Sequence, residues 1–134
     1  MREDNLRRKN SVLITGVTGQ VGRTTIDVLV RRGIRATALI RRDQPLEGCV
    51  TISNWLTSER AVTAIGHAEV VVHLAGNLNP RDHDYERANV GPTKRVAGAL
   101  DSDRTRRVIF LSYVGAAYRV RTLQQSRNPL SRGP

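Results

Sequence analysis

Short aliphatic runs alternate with stretches whose apolar residues recur every three or four positions, and glycines or prolines stand at the joins. Residues 11–15 (SVLIT) are a β-branched and aliphatic run closed by glycine, which predicts a strand covered on both faces. Gly16, Gly19 and Gly22 follow at three-residue intervals. Residues 20–32 then place Val21, Thr25, Val28 and Leu29 on one helical face before Gly33 ends the helix. Residues 36–40 form a second apolar run, and a strand returning parallel to the first through a helix makes a right-handed βαβ unit. Asp43, Pro45 and Gly48 mark a loop.

Residues 50–53 predict a third strand, and residues 58–66 a short helix with Ser58 as N-cap and Val62 and Ile65 inward. Consecutive valines make residues 70–74 (VVVHL) the fourth strand. Residues 85–100 predict a helix able to turn Tyr85, Asn89, Val96 and Leu100 to one side, with Pro92 bending or interrupting it. Residues 108–111 are the fifth strand, and past Ser112 the pattern becomes loop-like. No repeat appears at a solenoid period.

This alternation predicts an α/β class, a doubly wound parallel sheet of about five strands whose ligand crevice lies beyond the strands' carboxyl ends. The expected organisation is a basic segment at 1–10, a dinucleotide-binding domain at 11–115 and an Arg-rich irregular tail at 116–134. The order expected for such a sheet is 3-2-1-4-5-6, so stopping at the fifth strand leaves residues 108–111 at an open apolar edge. A homodimer, a partner chain or the Arg-rich tail would have to cover it.

Composition narrows the function without choosing it. The 134 residues suit one domain, and 39% hydrophobic content supplies a modest core. The net charge of +10 invites a nucleic-acid partner, yet residues 1–67 and 68–134 each carry 11 basic and 6 acidic side chains, so no separate basic domain exists. The aromatics Trp55, Tyr85, Phe110, Tyr113 and Tyr118 do not form a spaced stacking platform. An Arg-rich nucleic-acid-binding protein is therefore the weaker alternative. Cys49 stands alone, which removes an internal disulfide and any thiolate zinc site and fits a reducing compartment. The longest apolar stretch, residues 70–75, is far short of the ~20 residues that cross a bilayer. With no secretory signal at 1–10, the expectation is a cytoplasmic protein away from membranes.

Chemistry concentrates in Thr15-Gly16-Val17-Thr18-Gly19-Gln20-Val21-Gly22-Arg23. Gly16 would make the tight turn, Gly19 would let a diphosphate approach the backbone N–H groups, and Gly22 would let the helix pack on the strand. Between a first strand and a helix, this spacing is a dinucleotide fingerprint. Such sites usually carry an acid at the end of the second strand to hold the adenosine 2′-hydroxyl; here Arg41 and Arg42 occupy that point. Guanidinium groups there grip a 2′-phosphate and favour NADP, with NAD possible; a solvated basic pair is the competing reading.

Three segments in order resemble the short-chain dehydrogenase/reductase superfamily, in its extended and atypical branches, which include NAD-dependent epimerase/dehydratase-like Rossmann proteins. TGVTGQVG is similar to the TGxxGxxG cofactor turn, VVVHLAG to the fourth-strand HLAA segment, and YERANVGPT to the YxxxNVxGT helix start. The resemblance implies that Gly16, Thr18, Gly19, Gln20, Val21 and Gly22 surround the diphosphate and that Arg41 and Arg42 reach the 2′-phosphate. It places Leu74, Ala75 and Gly76 beside the ribose and nicotinamide, and Asn89 as the helix asparagine that helps order the active site. Members often contact adenine with an Asp after the third strand, where this chain has Asn54-Trp55.

Catalytic members also use a Ser or Thr after the fifth strand, here Ser112, and a Tyr-x-x-x-Lys pair whose lysine lowers the tyrosine pKa. No Tyr-x-x-x-Lys occurs, and the lysines are Lys9 and Lys94. Ser112 and Asn89 are thus the only catalytic candidates. LSYVGA resembles the SxVGA segment of redox sensors and respiratory accessory subunits that bind NADP or NAD without that pair. A fragment of a longer enzyme, lacking a sixth strand and a substrate-binding region, is the other reading. The substrate is a small molecule that the residues do not specify. His67 and His83 read as solvated, His73 as a satisfied core histidine, and Asp82, Asp84 and Glu86 as a solvated loop without metal-ligand spacing.

Overall fold

The computed structural model describes residues 11–77 and 84–111. Five strands, β1 (Val12–Thr15), β2 (Ala36–Leu39), β3 (Cys49–Ile52), β4 (Val70–His73) and β5 (Arg107–Phe110), form one sheet. Their order is β3-β2-β1-β4-β5 and every pairing is parallel. The doubly wound arrangement expected from the alternating pattern is the one found. The order reverses beside β1, which opens a crevice at the carboxyl ends of β1 and β4.

Helices cover both faces, which is why the strands are apolar runs rather than alternating ones. On one face Leu13, Leu39 and Val71 pack with Ala61 and Ile65 of α2 (Glu59–His67) and Val96 of α3 (Gly91–Ala99). On the other, Ile14, Ala36, Ala38 and Val72 pack with Ile26 of α1 (Gln20–Arg31). Neighbouring residues of a strand serve opposite cores because side chains alternate across the sheet.

Local signals fix the helix ends. Ser58 accepts a hydrogen bond from the Ala61 N–H at 3.3 Å, the N-cap expected for α2. At the end of α1, the Gly33 N–H donates to Val30 at 3.0 Å and the Ile34 N–H to Leu29 at 2.8 Å, the paired bonds of a Schellman stop.

Helix faces depart from the periodicity. In α1 the inward residues are Gly22 and Ile26, whereas Val21 and Val28 are 50% and 37% exposed. Close approach at Gly22 sets the rotation, and valines one or two positions away on a 100° wheel are carried outward. In α2 Ala61 and Ile65 face the core and Val62 is exposed. The single helix expected over 85–100 is instead a π-helical turn, Glu86–Val90, running into α3. Pro92 sits in the first turn of α3, directly after the π-helical turn that interrupts the regular helix, and Tyr85 is exposed rather than inward.

Residues 1–10 and 112–134, including Ser112 and the expected tail, lie outside the described residues, as do Asp82 and His83.

Candidate functional site

The turn after β1 is shaped by what its glycines lie against. Gly16 has φ +75°, and a Cβ there would stand 2.5 Å from the Leu74 carbonyl carbon and 2.6 Å from the Ala75 nitrogen. Only glycine lets the β1 turn and the end of β4 lie backbone to backbone. A Cβ on Gly22 would collide with the Gly16 carbonyl oxygen and stand 2.6 Å from Val17 Cα, so α1 seats directly on the turn. Gly19 differs: a Cβ there would meet only the Gly16 oxygen, at 3.5 Å. The space it leaves is open, not filled by protein.

Gly19 is also the N-cap of α1, without a side-chain cap bond, and the first turn carries no acid. The Arg23 N–H is the first to be returned into the helix, to the Gly19 carbonyl at 2.9 Å. The amides of Gln20, Val21 and Gly22 therefore have no acceptor within the helix, at its positive dipole end.

Beyond this turn lies a cavity of about 480 Å³. Gly16, Thr18 and Gly19 line one side, Arg41 and Arg42 the end of β2, and Leu74, Ala75 and Gly76 the end of β4. The structure thus brings these eight sequence-predicted residues to one space. Gln20, Val21 and Gly22 are not among its lining residues and stand at the helix start behind it. Sequence reasoning missed Val17, Leu39, Ile40, Gln44, Trp55, Asn77 and Ala88, which complete the wall. Leu39, Ile40 and Asn77 follow from their places at strand ends. Trp55 belongs to the Asn54-Trp55 segment that stands where relatives contact adenine, whereas Gln44 and Ala88 carry no local signal.

Trp55 reaches the wall through a strained turn. Asn54 has φ +51°, its N–H donates to the Arg41 carbonyl at 3.2 Å, and the Trp55 N–H donates to Ile40 at 3.3 Å. These bonds dock the segment after β3 onto the end of β2. Arg95 of α3 holds the segment from below, donating from Nε to the Trp55 carbonyl and from Nη2 to the Ser58 carbonyl, both at 2.9 Å.

A buried polar chain runs beneath the β4 side. The Ala75 N–H donates to Thr15 Oγ1 at 3.1 Å, Thr15 Oγ1 lies 2.7 Å from His73 Nδ1, and His73 Nε2 lies 2.9 Å from Thr93 Oγ1. Thr93 Oγ1 donates to the Asn89 carbonyl at 2.8 Å. His73 is 2% exposed and fully hydrogen-bonded, and burial pushes its pKa below the ordinary 6.5. Asn89 clamps the cavity rim: its Oδ1 accepts the Asn77 N–H at 2.8 Å, and its Nδ2 donates to the Asn77 carbonyl at 3.1 Å. A Cβ on Gly76 would stand 2.8 Å from the same Oδ1.

Cys49 lies away from this wall, and burial, partly offset by Arg35, raises its thiol pKa. Among the described residues no cluster of His, Cys, Asp or Glu could hold a metal ion, and no helix is long and apolar enough to cross a membrane.

Known proteins match this arrangement over most of the chain. A 4-hydroxy-2-methyl-3-oxo-4-farnesyl-3,4-dihydroquinoline-1-oxide ketoreductase of Stigmatella aurantiaca is 29% identical over 107 residues, 74% of this chain and 32% of that protein. An L-arabinose 1-dehydrogenase (NAD(P)(+)) of Haloferax volcanii is 34% identical over 106 residues, 75% of this chain and 40% of that protein. The chain therefore spans 32–40% of the length of these curated relatives. Among solved structures, MoeE5 in complex with UDP-glucose and NAD superposes with a TM-score of 0.66 at 28% identity, over 78% of this chain and 36% of that one. A short-chain dehydrogenase/reductase superfamily protein of Agrobacterium tumefaciens with bound NAD gives 0.62 at 26% identity, over 75% and 31%. The profile of the NAD dependent epimerase/dehydratase family matches residues 12–126, and with the glycine turn, strand order and crevice it describes, the chain belongs to that family.

Proposed function

We propose that this chain binds a nicotinamide dinucleotide in the cavity at the ends of β1, β2 and β4, and that it prefers NADP(H). The observation that carries the reading is the open space at Gly19, facing the cavity beside helix amides without helical acceptors. A diphosphate supplies the anion that such a cradle accepts. The residues that would hold it are Gly16, Thr18 and Gly19, with the first-turn amides of α1. The adenosine end would lie toward Trp55 and the exposed side chains of Arg41 and Arg42; the cavity lining contains no acid, and the neighbouring Asp43 is not part of it. The nicotinamide end would lie along Leu74, Ala75 and Gly76. NAD bound in the matched structures, and the NAD(P)(+) of the arabinose dehydrogenase, support the ligand class.

When bound, the nicotinamide would supply hydride transfer. These 134 residues are read as a binding unit, because they contain no Tyr-x-x-x-Lys to move the accompanying proton. The reading thus joins the family's cofactor to the behaviour of a sensor or accessory subunit.

Trp55 is the single tryptophan and lines the cavity, so its emission reports binding directly. Titration with NADPH is expected to quench it saturably. Gly19→Asp, which puts a carboxylate where the diphosphate belongs, is expected to weaken binding by about 100-fold or more, with the fold retained. Arg41→Asp is expected to weaken NADPH by about 10-fold or more and to leave NADH nearly unchanged. A folded chain with affinity for neither nucleotide overturns the reading. Equal affinities, unmoved by Arg41→Asp, overturn the NADP preference alone.

A further inference from the structure

We propose that His73 is a positioning residue for the nucleotide cavity: in its neutral Nε2–H form it ties the glycine turn to the Asn89 clamp, and nucleotide binding weakens when that form is lost. The proposal rests on the dinucleotide reading above and assigns a task to a side chain that reading leaves idle.

The hydrogen-bond directions determine the tautomer. Thr93 Oγ1 spends its one proton on the Asn89 carbonyl, 2.8 Å away. Toward His73 Nε2, at 2.9 Å, it can then only accept, so the proton of the ring sits on Nε2. Nδ1 keeps its lone pair and accepts from the Thr15 hydroxyl at 2.7 Å, and that oxygen in turn accepts the Ala75 N–H at 3.1 Å. Every proton in the chain points one way, from Ala75 to Asn89.

One end of this chain, Ala75, is cavity wall, and the other, Asn89, holds the wall residue Asn77. Ala75 packs its backbone against Gly16, and Asn89 holds both backbone groups of Asn77. The imidazole therefore joins the floor of the diphosphate turn to the rim on the far side of β4. Its ring leans on Phe110, with centroids 5.8 Å apart, so it has little freedom to turn.

Adding a proton reverses one link. With Nδ1–H as donor, Thr15 Oγ1 must accept two protons and loses the acceptor for its own, and the Ala75 tie weakens. The groups placed against the ring are Thr15 from β1, Thr93 from α3 and Phe110 from β5, none of them titratable. Among the described residues no charged side chain contributes to the ring's lowered basicity; burial alone does.

The test begins on the ligand-free chain. Nitrogen NMR of the labelled imidazole at pH 7.5 is expected to show a neutral ring protonated at Nε2; an Nδ1–H or charged ring overturns the proposal. Affinity for NAD+, which has no 2′-phosphate to titrate, is then measured through Trp55 emission at pH 7.5 and at an acidic pH at which the same spectrum shows the ring charged. Wild type is expected to weaken by about fivefold to tenfold on acidification, the scale of one buried hydrogen bond. His73→Gln is expected to bind about tenfold more weakly at pH 7.5 and to lose most of that pH slope. Thr93→Val, which keeps the volume and removes the acceptor, is expected to weaken NAD+ by about fivefold. Unchanged affinity in Thr93→Val overturns the proposal even if His73→Gln does not fold. Binding by wild type that is flat with pH overturns the coupling alone. Absence of binding of both NAD+ and NADPH by wild type at pH 7.5 overturns the dinucleotide reading and the coupling with it.

Discussion

β1 and β5 flank the same strand, β4, in the same parallel register, and their fates differ completely. Val71 stands between Leu13 and Val108, yet Leu13 is 1% exposed and Val108 46%. Val72 stands between Ile14 and Ile109, at 0% and 46%. The residue types are equivalent; what differs is the neighbour beyond. β1 has β2 on its other side and helices on both faces, whereas β5 has no described strand beyond it. Apolar character puts a residue in a strand, and only a second layer makes it core. The same contrast locates function. At the end of β1 backbone packs so tightly on backbone that a methyl group has no room, and the one open position, Gly19, faces the cavity.

Four measurements would break or sharpen this contrast. Gly22→Ala drives a methyl group into the Gly16 carbonyl and is expected to cost about 3 kcal/mol or more by chemical denaturation, with loss of nucleotide binding. A stability unchanged by this substitution would mean that α1 does not seat on the turn. Leu13→Ala is expected to cost about 3 kcal/mol, while Ile109→Ala costs under about 1 kcal/mol, since half of its surface is already wet. Equal costs would show that β5 is covered in solution.

The third measurement is a stability profile in acid. His73 has a folded pKa below its unfolded value of 6.5, so the unfolded chain takes up the proton first. Its contribution is complete above pH 6.5 and is lost as pH falls below 6.5 toward the folded pKa. Melting temperature is expected to drop through that window, and less so in His73→Gln. The smallest effect has the opposite sign. Gly98 lies in α3 with nothing near its absent Cβ, so Gly98→Ala is expected to stabilise by about 0.5–1 kcal/mol. Destabilisation would show that α3 packs more closely there than the structure describes.

Much of this was legible in the residues. Runs such as VVVH and VLIT announced strands buried on both faces, and the parallel order followed from their alternation with helices. The glycine spacing located the cavity, Arg41 and Arg42 were placed on its wall by their position at the end of the second strand, and Ala75 and Gly76 by the resemblance of VVVHLAG to the family's fourth-strand segment. Helix rotation was not legible. Val21 and Val62 fit an apolar stripe as well as Gly22 and Ala61 do, but backbone approach selects the smaller residue for the inward face. Pro92 signalled an interruption of the helix over 85–100, but its π-helical form and the pairing of Asn89 with Asn77, twelve residues away in sequence, were hidden.

The order of apolar runs, glycines and caps determined the elements, their parallel pairing and the place of the crevice, since each of these depends on a few neighbouring residues and on chain chirality. Tertiary structure alone decided which face each helix turns inward, and that Thr15, His73 and Thr93 form one directed chain. Those outcomes depend on close backbone approach and on groups far apart in sequence meeting at hydrogen-bond distance, and local patterns carry no record of such meetings.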